Sequence, residues 1–313
     1  MECVWRERRG TMNGFWNTWR TEIIRGATLF FAVLAIGLFV HYLVGRARQT
    51  VATSLPAALR ELRTEFAPDF ADGPRETGAP WTYRARVAPK QQVWIRNIRG
   101  SVTVVPAKGD SLQITAVKTY HSSDTASVRL VAVPSEGGIT VCAIWPGNDA
   151  GCAPGKTFRS GHTHHSDVAV DFTVRLPAHV RLGATTQVGD VHVSGASAPL
   201  ELATVSGDLD AETAQGPVTA ISVNGNVHAR MRAFGDTGAV SVVTVNGSVT
   251  AELPQRLDAD VEAKTINGSI VTDYPLTVSG KFTSHSLQGT VGRGGRGVHI
   301  TTVNGSITLK KAT

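Results

Sequence analysis

The chain has 313 residues, of which 32 are glycine and only 6% are aromatic, a composition typical of a β protein with many tight turns. Its net charge of +6 comes almost entirely from residues 1–63, which hold nine Arg and four acidic residues (+5), whereas residues 64–313 hold 22 basic and 21 acidic residues (+1). Because the longer part is nearly neutral and has no basic stripe with interleaved aromatic residues, we expect no nucleic-acid partner.

The first 80 residues are predicted to anchor the chain in a membrane. Residues 1–25 form a basic tail with five Arg, and residues 26–45 contain no Lys, Arg, Asp or Glu. A helix of that length spans about 30 Å, the thickness of the hydrocarbon core of a bilayer. We predict an uncleaved transmembrane helix rather than a signal peptide, since the apolar run is long and no small-residue cleavage site follows it. The basic tail favours a cytoplasmic N-terminus, and residues 46–80 are predicted to form a juxtamembrane stem and linker.

Residues 81–180 carry strand signals separated by turn clusters, and we predict that they form an opening β layer. Cys142 and Cys152 lie ten residues apart, and the Pro146-Gly147 pair between them marks a loop that returns on itself. If this part of the chain is exported, a disulfide between the two cysteines is the natural interpretation. Two free buried thiols are the alternative.

Residues 181–313 contain near-copies of one phrase, such as Thr-Val-Asn-Gly-Ser-Val at 244–249. Repetition with a period near 20 residues indicates a repeat architecture. We therefore predict an all-β fold in which the repeats form a β-solenoid similar to a parallel β-helix. The alternative is a meander of hairpins, because Asn-Gly between alternating apolar residues is also a hairpin signal. The glycines predicted at the repeat turns are Gly189, Gly207, Gly225, Gly247, Gly268, Gly289 and Gly305.

Each phrase is predicted to form a strand, a sharp bend and a second strand. The apolar residues two positions before and two positions after the glycine are expected to share one buried face, since alternate residues of an extended chain point the same way. The glycine is expected to adopt a positive φ. The residue before it is expected to stack into a ladder of amides, formed by Asn224, Asn246, Asn267 and Asn304.

Two groups of side chains are candidates for chemistry. His162, His164 and His165 could coordinate Zn or Cu adventitiously, but no further ligands complete the set, and we predict no metal or cofactor. A row of carboxylates could serve polysaccharide cleavage, which needs an acid and a base about 5–9 Å apart. Turn propensity alone explains an Asp after the glycine, so we predict that the chain is not an enzyme. The row consists of Asp190, Asp208, Asp210 and Glu212.

The chain resembles the bacterial putative-adhesin family of unknown function, whose members carry β-strand repeats. The Thr-Val-Asn-Gly-Ser-Val/Ile phrases carry the resemblance, together with residues 139–147 and the stretch from Val168 to Leu176 that runs into Pro177-Ala178. The resemblance implies an envelope-associated β-solenoid-like domain that is often membrane-anchored. It implies no established activity.

Together these observations predict a membrane-anchored extracytoplasmic protein that serves as an adhesin-like binding or scaffolding module of the bacterial envelope. Residues 26–45 would hold it as a single-pass protein of the cytoplasmic membrane, with the C-terminal domain outside and an envelope protein or a glycan as its ligand. The alternatives are an envelope-stress or regulatory component that acts through the cytoplasmic tail, and a polysaccharide-active β-helix enzyme.

Overall fold

A computed structural model describes residues 75–122, 125–146, 152, 166–234, 238–278 and 283–312. Within these residues the chain forms two β-sheets of eleven strands each and a short 3-10 turn, Thr125–Ser127. Buried side chains from both sheets form a continuous hydrophobic core. The predicted all-β fold with stacked parallel repeats is confirmed.

The first sheet consists of eleven strands, among them those that follow the repeat glycines. In chain order they are β1 (Glu76–Thr77), β2 (Trp81–Arg86), β4 (Val102–Pro106), β5 (Ser111–Tyr120), β8 (Ala169–Leu176), β10 (Val191–Ala196), β12 (Leu209–Thr213), β14 (Val227–Met231), β16 (Val249–Leu253), β18 (Ile270–Thr272) and β22 (Ile307–Lys311). Their spatial order is β1-β5-β8-β4-β10-β12-β14-β16-β22-β18, with β2 also paired to β5.

The second sheet also consists of eleven strands, among them those that precede the repeat glycines. They are β3 (Gln92–Arg96), β6 (Arg129–Ser135), β7 (Gly138–Ile144), β9 (Arg181–Thr185), β11 (Leu200–Ser206), β13 (Val218–Asn224), β15 (Val240–Asn246), β17 (Ala259–Lys264), β19 (Thr277–Val278), β20 (Ser286–Val291) and β21 (Gly297–Thr301). Their spatial order is β19-β20-β17-β21-β15-β13-β11-β9-β3-β7-β6.

A coil of the solenoid is one strand of the second sheet, a corner at a glycine and one strand of the first sheet. In β16, Val249, Ala251 and Leu253 point into the core while Thr250 and Glu252 are partly exposed. This alternation follows from the two-residue period of a strand. Equivalent strands of neighbouring coils pair in parallel and in register, as Val249 does with Val227 on one side and with Ile307 on the other. A single coil could not bury its apolar face, whereas a stack of coils does.

The coils are not stacked in chain order. The last coil, β21–β22, lies between β15–β16 and β17–β18. At the other end, the coil β3–β4 lies between β9–β10 and the strands β7 and β8, which follow it in the chain. Strands from residues 81–180 and from the repeats therefore share both sheets.

Antiparallel strands cover both sheets at one end of the parallel stack and the second sheet alone at the other, where the parallel strand β18 ends the first sheet. At one end β5 pairs with β8, and β6 pairs with β7. At the other end β20 pairs with β17, and β19 pairs with β20. These strands take up the backbone hydrogen-bonding groups that a bare end of the stack would expose.

The predicted basic tail, the predicted transmembrane helix at 26–45 and most of the predicted stem lie outside the described residues. In the part of the chain that the structure describes, no helix is long and apolar enough to span a bilayer. The membrane anchor therefore stays a prediction.

Candidate functional site

The repeat glycines line one edge of the solenoid, which we call the corner edge. A Cβ atom at Gly247 would lie 2.0 Å from the carbonyl oxygen of Gly225 in the neighbouring coil, and one at Gly225 would lie 1.9 Å from that of Gly207. No side chain fits at such distances. The expected positive φ is found at Gly189 and Gly207 but is absent at Gly247, so the close approach of the coils, rather than a left-handed backbone, requires glycine there.

The prediction of a repeat turn at Gly289 is wrong. Gly289 lies in the middle of β20 and pairs with Val261 of β17 in an antiparallel register. Leu287 and Val291 are both buried on the same side of this strand. The backbone therefore stays extended throughout this copy of the phrase, in which Gln288 replaces the Asn.

Buried hydroxyl groups form a second ladder beneath the corner glycines. Thr244 Oγ1 donates a hydrogen bond to the carbonyl oxygen of Gly225 at 2.9 Å, and Thr302 Oγ1 donates to that of Gly247 at 2.8 Å. Buried carbonyl groups require a donor, and the bend directs the glycine carbonyl away from the regular strand ladder. The sequence analysis missed this role, although a Thr or Ser three residues before the glycine was the available signal. The other members are Thr186, Thr204, Ser222 and Thr265.

The predicted amide ladder is present, but its order differs from the order in the chain. Asn246 Nδ2 donates to Asn224 Oδ1 at 2.8 Å, Asn304 Nδ2 donates to Asn246 Oδ1 at 2.7 Å, and Asn267 Nδ2 donates to Asn304 Oδ1 at 2.7 Å. Asn304 thus lies between Asn246 and Asn267, because the last coil inserts into the stack. All four side chains are exposed, so the ladder forms a polar line along the corner edge.

The expected burial on both sides of the glycine is wrong for the residue that precedes it. The residue two positions after the glycine is buried, as at Val249, whereas the residue two positions before it is 45% exposed at Val205 and 65% exposed at Ile266. The bend changes the phase of the alternation, so the buried position before the glycine is the Thr or Ser.

The aliphatic residues two positions before the corner glycines form a row of exposed and partly exposed side chains along the outer face of the second sheet and the bends that follow its strands, which we call the aliphatic stripe. In stacking order it consists of Val205, Val223, Val245, Val303 and Ile266. Ile221, which is 45% exposed, and its partner Val243 widen the stripe in the middle coils. The amide ladder follows one residue further along every coil that carries both.

Two members of the candidate carboxylate row stabilise the corner. Asp190 Oδ1 accepts a hydrogen bond from the backbone N–H of Asp208 at 2.8 Å, and Asp208 Oδ1 accepts one from the N–H of Asn226 at 2.7 Å. Asn226 continues the same pattern toward Ser248. These carboxylates therefore satisfy donors that the bend leaves without strand partners.

The third carboxylate, Asp210, belongs to a charged network on the outer face of the first sheet. Its oxygens lie 3.0 Å from His192 Nδ1 and 3.3 Å from His228 Nδ1. His228 Nε2 in turn lies 3.2 Å from Glu252, which accepts a 2.7 Å hydrogen bond from Arg230 Nε. The Arg230 guanidinium holds the pKa of Glu252 below its ordinary value, with a smaller contribution from His228, and Glu252 raises the pKa of Arg230.

The last member of the carboxylate row, Glu212, is also paired. Its side chain lies 3.2 Å from the guanidinium of Arg232. The structure thus brings the four carboxylates onto neighbouring coils, but each already has a hydrogen-bond or ion-pair partner. Among the described residues no group of His, Cys, Asp and Glu could hold a metal ion.

The predicted disulfide joins Cys142 to Cys152, and both residues are buried. It forms a small satellite cluster with Ile144 at the end of the stack where β6 and β7 lie. The histidines predicted as a candidate metal site, His162, His164 and His165, lie outside the described residues.

The opposite edge of the solenoid, which we call the return edge, consists of the loops that lead from the first sheet back to the second. Residues 232–234 and 254–258 of two such loops, the loop between β20 and β21 of the second sheet, and the end of β22 together enclose an open groove of about 1100 Å³. Arginine side chains dominate its lining, so we call it the arginine groove. It is lined by Arg232, Phe234, Arg256, Asp258, Arg293 and Arg296, among others. No local pattern in the sequence predicts this site.

A family model described as Toastrack DUF4097 matches residues 157–310, which include the corners from Gly189 to Gly305. No curated protein matches the chain. A solved structure described as a putative cell adhesion protein from Clostridium sporogenes aligns with 75% of this chain and 100% of its own, at 11% identity and a TM-score of 0.39. One described as a putative adhesin from Bacteroides fragilis aligns with 74% and 97%, at 13% identity and a TM-score of 0.33. At these TM-scores the two structures support no argument about this chain.

Proposed function

We propose that the stacked coils, most of which lie in the stretch 157–310 that matches the Toastrack DUF4097 family model, serve as an adhesin-like binding or scaffolding module of the bacterial envelope. The aliphatic stripe carries this proposal. A contiguous exposed apolar patch on a folded domain marks an interaction site, because water is otherwise in contact with the apolar surface. Val205, Val223 and Ile266 are each at least 36% exposed, and Val245 and Val303, which lie between them, are partly exposed.

The chemistry of the stripe favours a protein as its occupant. Five side chains on coils about 4.8 Å apart give a row roughly 19 Å long, and the amide ladder beside it supplies exposed donors and acceptors. An apolar centre with a polar rim is the usual anatomy of a protein–protein interface. The row contains only aliphatic residues, whereas a sugar ring would favour an aromatic platform. The proposed ligand is therefore another envelope protein.

The position of the module relative to the membrane is part of the proposal. Residues 26–45 would anchor it as a single-pass protein of the cytoplasmic membrane, with residues 71–313 on the extracytoplasmic side. The disulfide between Cys142 and Cys152 supports this side, since disulfides persist in oxidising compartments and are rare in the cytosol. Protection of the C-terminal domain from protease added to intact spheroplasts would contradict this topology.

We further propose that the module acts by binding, without catalysis and without a nucleic-acid partner. The candidate acid and base groups support this view, because Asp190 and Asp208 are committed to backbone donors of the corner, Asp210 to histidine partners and Glu212 to Arg232. The near-neutral charge of residues 64–313 disfavours nucleic acid.

Site-specific photo-crosslinking of the full chain in the cells that make it tests the proposal. A photoreactive residue at position 245, in the middle of the stripe, is expected to form an adduct with one defined envelope protein. The matched control carries the probe at position 308, on the outer face of the first sheet. Adding Val223→Asp and Ile266→Asp should abolish the adduct from position 245, whereas Thr308→Asp should leave it unchanged.

Three results would contradict the proposal. The first is the absence of any protein adduct at position 245. The second is the same set of adducts from positions 245 and 308, which would indicate random encounters. The third is an adduct with a second copy of the chain alone, which would make the stripe a self-association surface.

A further inference from the structure

The arginine groove has a surplus of positive charge on a domain that is otherwise nearly neutral. Four arginines line it against a single carboxylate, that of Asp258. Arg293 is paired with Asp258 at 3.0 Å, and Arg232 is paired with Glu212 outside the groove. Arg256 and Arg296 have no ion-pair partner among the described residues, so two guanidinium groups are available to a ligand.

The groove is held in shape before any ligand arrives. Asp258 Oδ1 accepts a 2.8 Å hydrogen bond from the backbone N–H of Arg293, and Asp260 Oδ2 accepts a 3.0 Å bond from that of Gly295. These backbone donors hold the pKa of both carboxyl groups below the ordinary value. The loop between β20 and β21 is therefore fixed from both sides.

One of the available guanidinium groups is also fixed in position. Arg296 lies over the ring of Phe234, with 5.6 Å between its Cζ atom and the ring centroid. Both side chains are half-buried. A charge that is already positioned loses less conformational entropy when it binds an anion.

We propose that the arginine groove binds an acidic polysaccharide through its carboxylate groups. Guanidinium groups match planar carboxylates in a bidentate geometry. The groove is open along the return edge and, at about 1100 Å³, is larger than a compact anion would need, which suits a chain of sugars. Its concave surface cannot lie flat on a bilayer.

This site is separate from the aliphatic stripe, which lies beside the corner edge of the solenoid. The inference therefore goes beyond the proposed function and names a second ligand class. The adduct expected from position 245 does not depend on Arg256 or Arg296, so either proposal can fail while the other stands.

The test measures the affinity of the detergent-solubilised full chain for a labelled decamer of polygalacturonate by fluorescence polarisation. The double substitution Arg256→Gln and Arg296→Gln should weaken binding at least 10-fold, because it removes both available guanidinium groups. The matched control is Arg84→Gln with Arg86→Gln, which removes the same charge from exposed positions of β2. We expect the control to change the affinity less than twofold.

The same assay contains the outcomes that would overturn the inference. An equal loss of affinity in both double variants would show non-specific attraction, and no measurable binding by the unmodified chain would remove the site altogether. Tighter binding to polyphosphate, to single-stranded DNA or to vesicles of anionic phospholipid than to polygalacturonate would reject an acidic polysaccharide as the ligand. Circular dichroism melting of the groove variant separates a loss of fold from a loss of binding.

Discussion

The two edges of the solenoid connect the same two sheets by different means. At the corner edge, every turn uses a glycine against a glycine, with the Cβ position at Gly247 closed by the carbonyl oxygen of Gly225. At the return edge, the loops differ in length and composition and leave a groove lined by arginines. The turn sequence therefore repeats at the corner edge and varies at the return edge.

The difference shows how a repeat fold separates stability from recognition. The corner edge holds the coils in register, so each of its positions is constrained by the coil above and the coil below. The return edge is constrained less uniformly: Gly216 packs closely against Pro199 of the neighbouring coil, whereas the exposed residues Gln255 and Arg256 lie in a surface loop. Functional side chains are found disproportionately on loops of this kind. The aliphatic stripe is an exception, since it lies on a strand surface beside the corners.

The largest effect is expected from a substitution that adds a methyl group at a corner glycine. Gly247→Ala would place a Cβ atom 2.0 Å from the Gly225 carbonyl oxygen, so the two coils must separate locally and lose strand hydrogen bonds. We expect a decrease of about 3 kcal/mol in the free energy of unfolding, at the upper end of ordinary point substitutions. Urea denaturation followed by circular dichroism measures it.

Gly137→Ala is the matched control for that substitution. No atom of another residue lies within 4 Å of a Cβ atom at Gly137, so the free energy of unfolding should change by less than about 0.5 kcal/mol, as is usual at unconstrained surface sites. Equal effects at Gly247 and Gly137 would contradict the close approach of the coils.

The corner edge was predicted from the sequence in its main features, because its signal is local. A short phrase with Asn-Gly recurring about every 20 residues was enough to place the corner at Gly247 and to stack Asn224 and Asn246. The stacking order was not predictable in the same way, since the phrase defines a coil but not its neighbours. Asn304 therefore lies beside Asn246, ahead of Asn267.

Other errors arose where tertiary contacts override a local pattern. Gly289 lies within a straight antiparallel strand, because β20 pairs with β17 at the end of the stack. The exposed position of Ile266 follows from the phase change at the bend, which a strict two-residue alternation ignores. The arginine groove brings together Arg232, Arg256 and Arg296, which are 24 and 40 residues apart in the chain, so no window of sequence contains it.

A smaller loss of stability should follow from removing a buried hydroxyl at the corner edge. Thr244→Val keeps the shape of the side chain but leaves the Gly225 carbonyl without the donor at 2.9 Å. A buried carbonyl without a partner costs about 1–2 kcal/mol. Thr250→Val, on the outward side of β16, is the control, and an equal loss in both variants would show that the buried hydroxyl has no special role.

The charged network around Glu252, on the outer face of the first sheet, should contribute less to the free energy of unfolding, and only above acidic pH. Because the pKa of Glu252 is held below its ordinary value of 4.5 by Arg230, the stabilisation is fully present above that value and disappears as the pH falls through the lowered pKa. Glu252→Gln should therefore lower the melting temperature at pH 7, by the equivalent of roughly 0.5–1 kcal/mol, and the difference should shrink as the pH falls below 4.5. Glu201→Gln, which removes the same charge from an exposed position of β11, is the matched control at pH 7.

The smallest effect is expected at the return edge. Inserting Gly-Ser between Gln255 and Arg256 lengthens the exposed loop between β16 and β17, and the added closure entropy amounts to only about 0.5 kcal/mol. The same dipeptide inserted between Gly247 and Ser248 would break the hydrogen bonds of two neighbouring coils and should abolish cooperative unfolding. The melting curves of the two insertion variants show which edge determines the register of the coils. If the insertion after Gln255 is as damaging as the one after Gly247, then the return edge also determines the register of the coils, and its arginines have been placed by the fold rather than left free for a ligand.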